Sequence, residues 1–184
     1  WKLLGEVPDR REAQGRRYPL RGLLAVAIAA TLAGRTSLAG IARWGAKLKK
    51  GALRAFGLDR GRTPCQASWH YLFRRLDTDA VERILAAWVR SLGGDQAPGH
   101  VAIDGKTLRG SRSGEYPGVH LLAAYCEGVQ GVLGELRVGA RENEIPAALR
   151  LLKKMPLKGA VVTGEAIFAQ KAICRRIVGK GGDY

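Results

Sequence analysis

HVAIDGKTLRGS, from His100 to Ser111, is a short apolar run that ends on an acid, Asp104, and passes through Gly105 into a string of polar residues. It reads as a strand followed by a turn, with the carboxylate at the end of the strand. Two more strand candidates follow, 119–126 and 132–138, joined by a turn around Gly128 and Gly131, so the three form a meander. Asn143 can cap a helix that tolerates Pro146 in its first turn and turns Ile145, Ala148, Leu149 and Leu152 to one side. A buried strand at 160–163 then ends beside Glu165, a helix over 166–178 carries Ile173, Cys174 and Ile177 inward, and Gly181 to Tyr184 opens another strand.

Three strands, a helix, a strand, a helix and an incipient strand define an α/β chain, in the order of an RNase H-like fold whose mixed sheet carries helices on its faces. Upstream of His100 the character changes. Gly93, Gly94, Pro98 and Gly99 form a stretch rich in breakers, which divides the chain into a helical domain, 1–95, and an incomplete mixed-sheet domain, 96–184. In the first of these, 21–33 is apolar nearly all round, as a central helix should be, and Gly34 closes it. Thr36 or Ser37 can cap a second helix bearing Leu38, Ile41, Ala42 and Trp44, which exits through the basic run Lys47 to Lys50. Asp79 and Glu82 have capping-box spacing for a third, in which Val81, Ile84, Leu85, Trp88 and Leu92 hold helical period.

Lys plus Arg number 31 against 16 for Asp plus Glu, a formal charge of +15 with a pI near 10.4. That balance points to a polyanionic partner, of which nucleic acid is the commonest. The bases crowd the front half, among them Arg43, Lys47, Lys49 and Lys50, and a long stripe of this kind suits a phosphate backbone. A membrane is the rival partner, but the longest apolar run, 23–33, falls short of the roughly 20 residues needed to span one. Cys65, Cys126 and Cys174 are scattered without a C-x-x-C pair, which argues against a zinc site or a disulfide framework and suits a reducing cytoplasm. No signal-peptide pattern is present, and Trp1 in place of an initiator methionine suggests a natural start farther upstream.

Asp104 and Glu165 each sit at the end of an expected strand, where a carboxylate is badly placed for core packing and well placed to face a crevice. Phosphoryl transfer on DNA needs hard cations about 3.5–4 Å apart, held by oxygen ligands, and paired acids supply them. From spacing alone a second reading stands beside this one: Asp104 as a turn residue before Gly105, and Glu165 as an acid at a helix N-terminus.

The wording of the sequence adds to the spacing. HVAIDGKTLRGS resembles the first acidic motif of the H-repeat, or Rhs-associated, transposases, the ISAs group of DDE-type insertion sequences; ENEIPAALRLL, 142–152, resembles their Asn-Glu-Ile segment, and KGAVVTGEAIFAQ, 158–170, their second acidic motif. PDRREAQGRRYPLRGLLAVAIAATLAG and RRLDTDAVERILAAWV are similar to the helical domain that accompanies that catalytic domain, and the closing GGDY fits as well. The resemblance implies an RNase H-like enzyme with an Asp, Asp, Glu triad that binds two Mg²⁺ and nicks and joins double-stranded DNA at transposon terminal repeats, as a homodimer in its complete form. Asp104 falls on the first acid and Glu165 where the family has Asp, while the third acid is expected downstream of Tyr184. The isolated chain is therefore expected to bind Mg²⁺ weakly and to leave DNA uncut. A DNA-binding remnant without catalysis and a decayed reading frame are the alternatives.

Lys106 and Arg109, just past Asp104, are candidates for a nearby phosphate. Glu144 reads either as an acid beside the helix dipole or as a group supporting the site. His70, His100 and His120 lack ligand spacing, and His120 is expected to pack or hydrogen-bond on its strand. Trp44, Trp69 and Trp88 are expected in cores.

Overall fold

The computed structural model describes residues 1–92, 98–112, 114 and 118–184. Contacts divide the chain into two compact units, Trp1–Ile84 and Leu85–Tyr184. The expected boundary at 95/96 lies outside the described residues.

The first unit is helical: α1 (Leu20–Leu32), α2 (Leu38–Ala46), α3 (Lys50–Ala55), α4 (Gln66–Arg74) and the start of α5 (Thr78–Leu92). α1 is its centre, with Leu23, Leu24, Val26, Ala27 and Ala30 buried. It ends in a left-handed Gly34 (φ 79°), beyond which the Arg35 amide returns to the Ala30 carbonyl at 2.9 Å, the Schellman closure that needs a residue without Cβ. Ser37 is the cap of α2, its hydroxyl accepting from the Gly40 amide at 3.1 Å. Gly22 is required for closeness: a Cβ there would press into the Phe56 carbonyl and lie 2.9 Å from a methyl of buried Leu58.

Three features depart from the sequence reading. The basic exit after Lys47 continues as α3, anchored by buried Leu53, and α4 follows with Trp69 and Leu72 buried. The cap of α5 is Asp77, which accepts from the Ala80 amide at 3.0 Å, so the helix starts a residue before the expected Asp79. On α5, Ile84 is buried, whereas Leu85, Trp88 and Leu92 are 39%, 52% and 60% exposed, so Trp88 is no core residue.

The second unit holds β1 (His100–Thr107), β2 (His120–Cys126), β3 (Gly131–Arg137), α6 (Glu144–Lys154), β4 (Val161–Gly164) and α7 (Lys171–Val178). The sheet order is β3-β2-β1-β4; β1 to β3 form an antiparallel meander, and β4 pairs parallel to β1. This is the mixed α/β sheet expected from the sequence. Val101 and Ile103, Leu122 and Ala124, Leu133, Leu136 and Val162 turn into a core shared with Ala147, Ala148, Leu151 and Leu152 of α6 and Ile173 and Ile177 of α7. Each fully buried Leu among them contributes about 1.5–3 kcal/mol. Asn143 caps α6 as expected, accepting from the Ile145 amide at 3.1 Å. Lys180 fastens the other end of α6, donating to the carbonyls of Leu152 and Lys153 at 2.9 Å and to that of Met155.

The helix expected over 166–178 is divided. A 3-10 turn, Ala166–Phe168, comes first, because Phe168 folds back over Gly164 into the core, and α7 starts only at Lys171; Cys174 is half-buried. At the outer edge of β4, Asp183 makes a parallel bridge to Val161, with the Val162 amide donating to the Asp183 carbonyl at 2.8 Å.

Gly22→Ala should destabilise the helical unit by about 1–3 kcal/mol through overpacking. Urea unfolding followed by helical circular dichroism reads the loss, and an unchanged midpoint would show that α1 does not press on the Phe56 carbonyl.

Candidate functional site

Alternation along β1 separates its side chains by face. Val101 and Ile103 enter the core, so Ala102 and Asp104 face away from it. On β4, Val162 is buried and Thr163 exposed. The parallel register runs Val101↔Val162, Ala102↔Thr163, Ile103↔Gly164, and the next residue on each strand is an acid, Asp104 and Glu165. Glu165 stays extended (φ −65°, ψ 163°) just past the last residue of β4, whereas Asp104 lies within β1, which runs on to Thr107 in register with β2, and so is not at the strand end expected from the sequence. Both residues are exposed. Neither side-chain carboxylate accepts a hydrogen bond or makes an ion pair among the described residues, which leaves its oxygens available to a ligand.

Lys106 is exposed and shares the Asp104 face two residues farther along β1, and Arg109 is exposed in the turn that follows. A cavity of about 490 Å³ opens beside β4; Glu165 lines it with Val162, Phe168, Ile173, Ile177 and Tyr184, and Asp104 does not. Its apolar walls make it a poor place for a cation. Among the described residues no group of three or more His, Cys, Asp or Glu side chains is arranged to hold a metal.

Behind Asp104, on the core side of the sheet end, lies a polar cluster that sequence reasoning did not assemble. His120 opens β2 opposite Thr107, whose hydroxyl is 2.9 Å from its Nδ1, and its Nε2 is 2.8 Å from Glu144 Oε1. Glu144 is the first residue of α6, so the pair ties that helix to the meander. Gly105 lies beneath it: a Cβ there would stand 2.9 Å from the Glu144 carboxylate and 3.2 Å from His120 Nε2. The residue after Asp104 is thus held by contact with the cluster. Glu144 is both a helix-start acid and a support, and His120 hydrogen-bonds as expected.

The approach to α6 is held by a second ion pair. Arg150 grips both oxygens of Glu142 at 2.6 and 2.5 Å, and the Gly139 amide donates to the same carboxylate at 2.6 Å. The Arg150 guanidinium, with help from that amide, lowers the Glu142 carboxyl from 4.5 to about 2.

The other four candidate bases belong to the helical unit, and all are exposed. Arg43 and Lys47 line a shallow hollow on α2 with Arg35 and Trp44, and Lys49 and Lys50 begin α3. No helix among the described residues is long and apolar enough to cross a membrane.

A family model described as DDE_Tnp_1-associated matches residues 1–89. Over 182 residues the chain is 32% identical to an "Uncharacterized protein in dhlA 3'region" of Xanthobacter autotrophicus, a match covering 97% of this chain and 61% of that one. It is 29% identical over 180 residues to the "Putative transposase YncI" of Escherichia coli O157:H7, covering 97% and 46%, and 26% identical over 180 residues to the "H repeat-associated putative transposase YhhI" of Escherichia coli K12, covering 97% and 47%. The chain thus spans from about half to three-fifths of the length of these relatives. No solved structure matches it.

Because the folded pKa of Glu142 is depressed, its ion pair contributes stability that is present above pH 4.5 and lost as pH falls towards about 2. Arg150→Gln should return the carboxyl most of the way to 4.5, read by carbon-detected NMR titration; a midpoint still near 2 would mean that the Gly139 amide, and not the guanidinium, holds it down.

Proposed function

We propose that this chain, which is similar to H-repeat-associated putative transposases, derives from a DNA transposase that cleaves and rejoins phosphodiester bonds at the terminal repeats of an insertion sequence. The observation that supports the proposal is the parallel pairing of β1 with β4, whose register ends at Ile103↔Gly164, one residue before Asp104 and Glu165, both of them exposed. A meander followed through a helix by a strand parallel to the first supports an RNase H-like reading of the sheet.

The two acids suit Mg²⁺, a hard cation that is commonly held by one or two carboxylates, with water and substrate phosphate oxygens completing its shell. When bound, such ions supply charge for the attacking and leaving oxygens of an in-line displacement. In the overall reaction an oxygen of water bonds to phosphorus as the bond from phosphorus to the 3′ oxygen breaks, leaving a 3′ hydroxyl and a 5′ phosphate; that hydroxyl then bonds to a target phosphorus as its bond to the target's 3′ oxygen breaks, and the released 3′ oxygen takes up the proton that the attacking hydroxyl loses. Asp104 and Glu165 fix the place where this happens. Lys106 and Arg109 draw the DNA backbone towards it, and the His120–Glu144 cluster under Gly105 keeps the end of β1 from shifting. Glu165 extends its carboxylate about 1.5 Å farther than an aspartate would, a displacement of the kind that costs roughly 10²-fold in rate.

Double-stranded DNA is the proposed partner in the cytoplasm, gripped by the helical unit through bases that include Arg43, Lys47, Lys49 and Lys50, and a homodimer would pair two transposon ends. The excess of positive charge favours a second reading, in which this chain binds DNA without cutting it.

With two acids and no larger ligand cluster among the described residues, the 184-residue polypeptide should bind Mg²⁺ weakly and leave terminal-repeat duplexes uncut. Calorimetric titration should show Glu165→Asp tightening Mg²⁺ binding and Asp104→Asn abolishing it. Duplex binding should weaken with salt at a log–log slope of about −5 if six phosphates are neutralised. Strand cleavage by this polypeptide would refute the weak-site account, and Mg²⁺ binding indifferent to Asp104→Asn would remove the catalytic reading altogether.

A further inference from the structure

We infer that α4 (Gln66–Arg74) is the helix that enters the major groove of duplex DNA, reading base edges with Gln66 and His70 while Arg74 and Arg75 hold phosphates. The inference rests on the DNA partner proposed above and goes beyond it by assigning the reading element, which does not include the Arg43, Lys47, Lys49 and Lys50 group.

The helix is divided lengthwise by its sequence. Trp69 and Leu72 are buried at 0% and 3% exposure, and Phe73 packs beside Trp69 with ring centroids 6.3 Å apart, so one side is rigidly fixed to the helical core. Gln66, Ala67, His70, Tyr71 and Arg74, spaced three and four residues apart, make the opposite side. All five are exposed, Tyr71 to 60%, and together with Leu38 of α2 they line an open hollow of about 530 Å³. An apolar partner would call for an apolar stripe, and this one is polar, aromatic and basic.

Charge selects the partner. No acid occurs between Asp59 and Asp77, a stretch that contains Arg60, Arg62, Arg74 and Arg75. Asp77 is already engaged, by Arg10 at 2.6 Å and by the Ala80 amide. Glu12 is the only acid lining the hollow on the far side of Tyr71, where Arg11, Arg17 and Arg75 surround it. The surface is therefore cationic at the C-terminal end of the helix and along the hollow beside Tyr71, where Arg11, Arg17 and Arg75 can meet the phosphates that border a groove. Dimensions agree as well: a helix about 10–12 Å across fits a major groove about 12 Å wide. Gln66 offers the paired donor and acceptor that match the N6 and N7 edge of adenine, and exposed His70 lies on the same stripe one turn farther on.

The test uses the full chain and a fluorescein-labelled duplex of about three helical turns, selected from a random pool by wild-type protein, with an unselected duplex as comparison. Gln66→Ala with His70→Ala should cut affinity for the selected duplex by about tenfold or more and leave affinity for the unselected one within about twofold. Arg74→Ala should weaken binding to both and reduce the salt slope by about one, while Lys153→Ala, which removes the same charge from α6, should change neither. Replacing adenine by 7-deazaadenine in the selected duplex, which removes the N7 acceptor that Gln66 reads, should weaken binding of the wild-type chain, a readout that needs no variant and does not depend on any variant folding. Wild-type affinity for the selected duplex in all the α4 variants, or binding indifferent to loss of adenine N7, would overturn the assignment of α4 and leave the DNA partner standing. If the α4 variants instead lost self-association, the face would be a protein interface and the inference wrong. Failure of the wild-type chain to bind any duplex at low salt would overturn the DNA partner itself.

Discussion

The pairing of β1 with β4 is the constraint on which the sheet unit depends. It is parallel, so it cannot be closed by a tight turn, and the chain must travel through the meander and α6 before β4 can take its place beside β1. The register is locked by burial. Val101 and Val162 are partners and both enter the core beneath α6 and α7, so a slip of one residue would send Val162 to the open face and bury Thr163 in its stead. Gly164 completes the lock: it accepts the ring of Phe168, whose return into the core ends β4 and sets Glu165 at the sheet's rim. The position of two exposed acids thus follows from the packing of two valines, a glycine and a phenylalanine.

Other polar contacts reinforce the same rim. The Glu142–Arg150 pair fixes the entry to α6, His120 reaches from β2 to the first residue of that helix, and Lys180 fastens its far end. These hold α6 across the meander at points where apolar contact alone would permit sliding. Gly105, pressed beneath Glu144 and His120, passes that restraint to the residue beside Asp104.

Much of this was legible in the sequence. The strands announced themselves by apolar runs bounded by glycine and acid, α1 by its all-round apolarity and Gly34, and α6 by Asn143. What escaped has a physical reason in each case. α4 carries no side-chain cap and mixes His70, Tyr71 and Arg74 with its apolar side, so its period is masked. α3 is a single short segment anchored by one leucine. The expected helix at 166–178 was interrupted because Phe168 serves the core better in a 3-10 turn, and Trp88 kept helical period without being covered. The His120–Glu144–Thr107 cluster depends on strand register, which no local pattern of residues records. Asp104 could be named from the acid that closes its apolar run, but β1 continues through Gly105 to Thr107 because pairing with β2 outlasts the apolar residues, so it is not a strand end.

The most direct measurement is of the acids themselves. Labelled at their side-chain carboxyl carbons, Asp104 and Glu165 should broaden together in NMR spectra as substoichiometric Mn²⁺ is added, ahead of the other carboxylates of the chain. Broadening of one without the other, or of acids elsewhere first, would contradict a common cation site formed by Asp104 within β1 and Glu165 just past β4.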